Sequence, residues 1–95
     1  MRKYELMFIV KSDMEEADIK KTAEAMKKIL TDGKATILEE KAMGQKELAY
    51  EINKMKTGYY FLYVVETTSE VIDEFERVAR INENILRHLT IKVED

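Results

Sequence analysis

Apolar and polar residues alternate over residues 2–10. Tyr4, Leu6, Phe8 and Val10 recur with the period of two that an extended strand requires. The opposite positions begin with Lys3 and Glu5 but end with Met7 and Ile9, the pattern of a central strand. The period then changes. Ile19, Ala23, Met26 and Leu30 follow at spacings of four, three and four, which form one stripe of a helix. Asp13 is placed to cap this helix, and Glu16 three residues later suits a capping box. Gly33 is placed to end it in left-handed backbone. Residues 35–43 read as a second strand, whose Glu39, Glu40 and Lys41 mark an edge. Gly44 suits a bulge, with pairing resuming at Leu48, Tyr50 and Ile52, and a turn is predicted over residues 53–58. Residues 59–66 are the clearest strand: Tyr60, Leu62 and Val64 line one face, Tyr59, Phe61, Tyr63 and Val65 the other. Thr68 or Ser69 opens a second helix ending near Asn82, with Val71, Phe75 and Val78 in its stripe and Ile72 and Ala79 beside them. Asn82 and Asn84 suit a left-handed exit turn. In the last strand Leu89, Ile91 and Val93 alternate against His88, Thr90 and Lys92.

The predicted order is βαββαβ, which defines an α+β, ferredoxin-like split βαβ arrangement: a four-stranded antiparallel sheet with two helices on one face. Residues 1–95 are read as one such domain. The other face of the sheet is left without a helical cover. Two strands nevertheless carry apolar side chains on both faces, which a half-covered sheet does not need. Tyr59, Phe61 and Tyr63 are therefore candidates for meeting a partner.

Composition narrows the chemistry. The chain has 95 residues, 37% of them charged, and no cysteine, proline or tryptophan, so disulfides and thiolate chemistry are excluded. A single histidine, His88, excludes a multi-histidine metal cluster. The longest strongly apolar run, residues 59–65, is far short of the roughly 20 residues of a membrane helix, and no secretory signal pattern opens the chain. A cytoplasmic address is expected. Glu15 with Glu16 and Glu39 with Glu40 are adjacent pairs whose side chains diverge, and Gly33, Gly44 and Gly58 are too scattered for a phosphate loop. Ser12 and Ser69 fall near helix starts, where capping accounts for them. Small hydrolases of this fold hold phosphate in a loop after the first strand; here that loop is Lys11-Ser12-Asp13, without glycine. No enzyme, cofactor, metal or small-molecule substrate is expected.

A net charge of −3, from 16 basic and 19 acidic residues, argues against an autonomous high-affinity nucleic-acid binder. Local basic groups remain. Lys41, Lys46, Lys54 and Lys56 cluster on the hairpin between the second and third strands, diluted by Glu47 and Glu51. Arg77, Arg80, Arg87 and His88 flank the second helix and last strand, and Arg2 and Lys3 open the first strand. Arg2, Lys46, Lys54, Lys56, Arg80, Arg87 and His88 are the candidates for RNA contact, through phosphate positioning rather than base readout. Glu76, four residues before Arg80, offers an intrahelical alternative for that arginine. Against the RNA-recognition motif, Gly58, Tyr59 and Phe61 fit, but Thr57, Tyr60 and Val64 stand where a basic, a small and an aromatic residue belong.

Four segments carry a family resemblance: Met1-Arg2-Lys3-Tyr4-Glu5, Gly44-Gln45-Lys46-Glu47-Leu48-Ala49-Tyr50-Glu51-Ile52, Gly58-Tyr59-Tyr60, and Arg80-Ile81-Asn82-Glu83-Asn84-Ile85-Leu86-Arg87-His88-Leu89. In order and spacing the chain resembles the bacterial small-subunit ribosomal protein six family from end to end. The resemblance implies a structural, non-catalytic component of the small ribosomal subunit. It further implies a heterodimer with the small basic ribosomal protein eighteen that binds the central domain of small-subunit rRNA during assembly. An acidic chain can serve RNA in this way if its partner supplies positive charge. The family commonly has tryptophan where Met43 stands and two or three basic residues after Gly44, where this chain has only Lys46 between Gln45 and Glu47. A competing reading is a ferredoxin-like regulatory module that dimerises or binds a small metabolite through its open sheet face.

Overall fold

The alternating and helical patterns resolve, in a computed structural model describing residues 2–52 and 54–93, into β1 (Arg2–Lys11), α1 (Glu16–Asp32), β2 (Thr36–Ile52), β3 (Met55–Thr67), α2 (Ser69–Ile81) and β4 (Ile85–Val93). Asn53, which the sequence pattern places in a turn, lies outside the described residues, as do Met1, Glu94 and Asp95. The sheet is antiparallel in the order β2-β3-β1-β4, the ferredoxin-like arrangement.

The core lies between the helices and one sheet face. The β1 residues Tyr4, Leu6, Phe8 and Val10 meet the α1 stripe Ile19, Ala23, Met26 and Leu30 together with Ile72, Phe75 and Ala79 of α2. Phe8 is the hub. Its ring stacks on Phe61 at 5.2 Å and 18°, and meets Phe75 edge-on at 6.0 Å and 62°. Tilted and edge-on aromatic pairs add about 0.5–1.5 kcal/mol to the area they bury.

Helix ends depart from the sequence expectation in instructive ways. Asp13 does not cap α1. The N-cap is Glu15, whose carbonyl accepts from the amides of Asp18 and Ile19, while Glu16 and Asp18 place acid in the first turn. Ser12 is not a cap either: its hydroxyl bonds to the Thr57 carbonyl at 3.1 Å and to the Thr57 hydroxyl at 2.8 Å, tying the end of β1 to β3. At the far end of α1 the left-handed residue is Lys34 (φ 61°), not Gly33 (φ −80°). The Lys34 amide bonds to the Thr31 carbonyl and the Ala35 amide to the Leu30 carbonyl, the two bonds of a Schellman stop. Gly33 serves a different need. A Cβ there would lie 2.7 Å from Cγ2 of Val71, so the glycine permits close approach of α2. Thr68 occupies the N-cap position of α2 without a side-chain cap bond, and Asn82 is extended rather than left-handed. Asn82 instead accepts the Asn84 amide on its side-chain oxygen at 2.9 Å, an Asx turn that redirects the chain into β4.

The hairpin is longer and tighter than expected. Residues 55–58, read from sequence as turn, belong to β3, so β2 and β3 form a two-stranded ribbon that projects beyond β1. Gly44 has φ +82° at a break in register, as its bulge assignment predicts.

Candidate functional site: the open sheet face and the ribbon

The sense of each strand follows from the register. Even-numbered β1 residues pair with odd-numbered β3 residues but with even-numbered β4 residues: Phe8 stands opposite Phe61 on one side and His88 on the other. Tyr59, Phe61 and Tyr63 therefore share the helix-covered face. This corrects the sequence expectation that they meet a partner. Tyr63 is 2% exposed within the core, and Tyr59 and Phe61 pack against that core. Burial first, then the nearby Glu40 and Glu24 carboxylates, push the Tyr63 hydroxyl up to about 12. Tyr63 is buried too deeply to offer a partner any surface, and Tyr59 and Phe61 are half-buried on the helix-covered face.

The outward face has other residues, set in rows across the strands. One row runs Lys41, Leu62, Met7, Leu89; the next runs Glu39, Val64, Glu5, Ile91. A third runs Gly44, Tyr60, Ile9, Arg87. Leu89 and Ile91 are 49% and 48% exposed. Their strand is turned inside out relative to its neighbour. Ile85 at the start of β4 reaches the core, but beyond it Leu89, Ile91 and Val93 point away from the helices, while His88, Thr90 and Lys92 take the inner side, where Thr90 Oγ1 is buried with no hydrogen-bond partner. Met7, Leu62 and Val64 were visible in sequence as parts of two-faced apolar strands, and Leu89 and Ile91 as the apolar side of an alternating strand, but alternation alone does not say which set faces out.

The basic candidates divide by position. Lys46, Lys54 and Lys56 lie exposed along the ribbon, with Lys54 at φ 67° in its turn. Arg87 is exposed at the same end of the sheet, since Ile9 opposite it lies near the Lys11–Gly58 pair. Arg80 lies exposed in the last turn of α2, just before the chain enters β4 at that end. Arg2 pairs with Thr67 at the other end of β1, about 30 Å away at the rise of a strand. His88 is half-buried opposite Phe8. Among the described residues, none of Lys46, Lys54, Lys56, Arg80 and Arg87 enters an ion pair. In α2 the ion pair seen among the described residues is Arg77 with Glu74, at 2.6 Å, whose hydrogen bond lowers the carboxyl and raises the guanidinium from their ordinary values.

Among the described residues no cluster of three or more acidic or histidine side chains is placed to hold a metal. Among the same residues no helix is long and apolar enough to cross a membrane. An apolar sheet face bordered by charge, with cations gathered at one end, defines a binding scaffold on a two-layer α/β frame. Comparison with known proteins supplies the family. The sequence model for ribosomal protein S6 matches residues 3–92. The crystal structure of 30S ribosomal protein S6 from Thermotoga maritima superposes with a TM-score of 0.91 at 30% identity, over 97% of this chain and 87% of that one. The chain belongs to the ribosomal protein S6 family, as its motifs implied, and is a protein of the small ribosomal subunit in the cytoplasm, with a structural rather than catalytic role.

Proposed function

We propose that this chain docks the small basic ribosomal protein eighteen on its open sheet face, and that the pair binds the central domain of small-subunit rRNA during assembly. The observation that carries the reading is the inverted β4: Leu89 and Ile91 stand half exposed beside Met7, Leu62 and Val64 in a contiguous outward patch. Covering such side chains is favourable by roughly 25 cal/mol per Å² of apolar area. Glu5 lies in the same face, where Glu39 is paired with Lys41 at 3.0 Å, and the net charge of −3 suits a cationic partner. A second copy of this chain would instead bring the same net negative charge to that face, which disfavours the homodimer alternative.

RNA contact is assigned to Lys46, Lys54, Lys56, Arg80 and Arg87, which gather at the ribbon end with no ion-pair partner among the described residues. Their role is phosphate positioning. Arg2 stands at the far end of β1 from that cluster, and His88, next to Arg87 in the chain, turns to the opposite face of the sheet.

The test is binding of the purified chain to a central-domain rRNA fragment across a salt series, with and without the basic partner. Tight, salt-sensitive binding only with the partner is expected. Equally tight binding by the chain alone would replace the reading with an autonomous RNA module. No binding in either case, with a concentration-dependent homodimer in sizing chromatography, would favour the regulatory module. Neutralising Arg80 and Arg87 together should make the slope of log affinity against log salt shallower by roughly two.

A further inference from the structure

The segment Leu48-Ala49-Tyr50, part of the family motif, has no role in the rows described above. Its position is unusual. Glu47 stands opposite Thr57 and Ile52 opposite Met55, so Leu48, Ala49, Tyr50 and Glu51 together face only Lys56. The excess chain bows out of the ribbon. β2 and β4 are the two edges of the sheet, separated by three strand spacings, about 14 Å in a flat sheet. Yet the Arg87 guanidinium carbon of β4 lies 5.5 Å from the centre of the Tyr50 ring of β2. The Tyr50 ring and the Arg87 side chain therefore meet over the outward face, between the two edges.

Two further observations place the contact. Ile9 points to the outward face but is only 5% exposed, and it does not belong to the main core cluster. A Cβ on Gly58 would lie 2.4 Å from Cγ2 of Ile9 and 3.6 Å from Cδ2 of Leu48, so Leu48 sits over the same ground. At the foot of the ribbon, Gln45 Nε2 donates to Thr57 Oγ1 at 3.1 Å, and Thr57 Oγ1 also bonds to Ser12. The foot is stitched to β1, and the tip is held by Arg87.

We propose that residues 48–51 form a strap across the end of the outward face, latched by Arg87 against the Tyr50 ring, with Leu48 beneath it on Ile9 and Gly58. Arg87 is here a positioning residue. It acts through Tyr50 to set where the apolar face ends, and lifting the strap extends that face to Ile9. Stacking uses the flat side of the guanidinium and leaves its edge donors free, so the latch is compatible with phosphate contact by the same residue.

Backbone amide hydrogen exchange of the free chain, with no partner or RNA present, tests the latch independently of the proposed function. In Arg87→Met and in Tyr50→Leu, amides of residues 46–52 and 54–58 should exchange roughly two- to fivefold faster, the factor an exposed cation–π contact supports. The double variant should exchange no faster than the faster single variant, and Tyr50→Phe, which keeps the ring, should match the parent. Parent-like exchange in both single variants would overturn the latch. So would a double variant whose increase is the product of the two single ones, or an increase spread evenly over β1 and β3.

Discussion

β1 and β4 lie side by side, and both carry apolar residues at alternate positions, β1 adding Met7 and Ile9 on its other face. β1 turns Tyr4, Leu6, Phe8 and Val10 toward the helices, whereas β4 turns Leu89, Ile91 and Val93 away from them. The difference is not in composition. Phe8 pairs with His88, so once β1 has committed its large residues inward, the register commits His88, Thr90 and Lys92 of β4 to the same side. In the proposed reading the alternation of β4 makes a surface for a partner to cover, so that one strand serves stability and its neighbour association.

Substitutions that separate the two faces put this contrast to the test. The largest effect is expected from Phe8→Ala, which empties a fully buried site packed against Phe61, Tyr63 and Phe75, and should cost about 3–5 kcal/mol in urea unfolding. Next comes the alkaline limb of Tyr63. Its hydroxyl is raised from 10.0 to about 12, so folding favours the protonated phenol. That stability is fully present below pH 10, falls as pH rises from 10 toward 12, and amounts to about 2–3 kcal/mol. Unfolding measured across that range, with ultraviolet titration of tyrosinate, should show the loss, and Tyr63→Phe should abolish this part of the pH dependence. Gly33→Ala forces a Cβ to within 2.7 Å of Val71 and should cost about 1–3 kcal/mol, read from the same unfolding curves. The smallest effect on folding is expected on the outward face. Leu89→Ser should change stability by about 0.5 kcal/mol yet weaken capture of the basic partner several-fold in a pull-down titration. If instead Leu89→Ser unfolds the chain as Phe8→Ala does, the two strands are not divided in the way proposed.

Much of the architecture was legible because burial leaves a periodic record. The stripes Ile19–Ala23–Met26–Leu30 and Val71–Phe75–Val78, and the alternation of β1, locate their elements directly. Helix ends were less legible. Asp13 and Ser12 have the chemistry of caps, but Glu15 starts α1 and Ser12 is drawn to Thr57, 45 residues away. Gly33 was noticed for its backbone freedom and turned out to matter for its missing side chain. The ribbon was misjudged at its tip because a strand pairing through an irregular bulge loses its period, and Gly58 looked like a turn when it is where Ile9 and Leu48 crowd a strand.

The site divides along the same line. The basic residues of the ribbon end and the two-faced apolar strands can be read from one-dimensional spacing, and so can the order of elements that fixes the ferredoxin-like fold. Spacing along a strand is local chemistry, carried by the residues themselves. Which of two apolar sets faces the partner is a matter of parity between paired strands. A shift of one residue would exchange Tyr59, Phe61 and Tyr63 for Tyr60, Leu62 and Val64. That parity is settled only when β1 is paired on both sides and the helices have chosen their face. The contact of Tyr50 with Arg87 likewise exists only once the sheet is assembled, because it joins the two edge strands of the sheet.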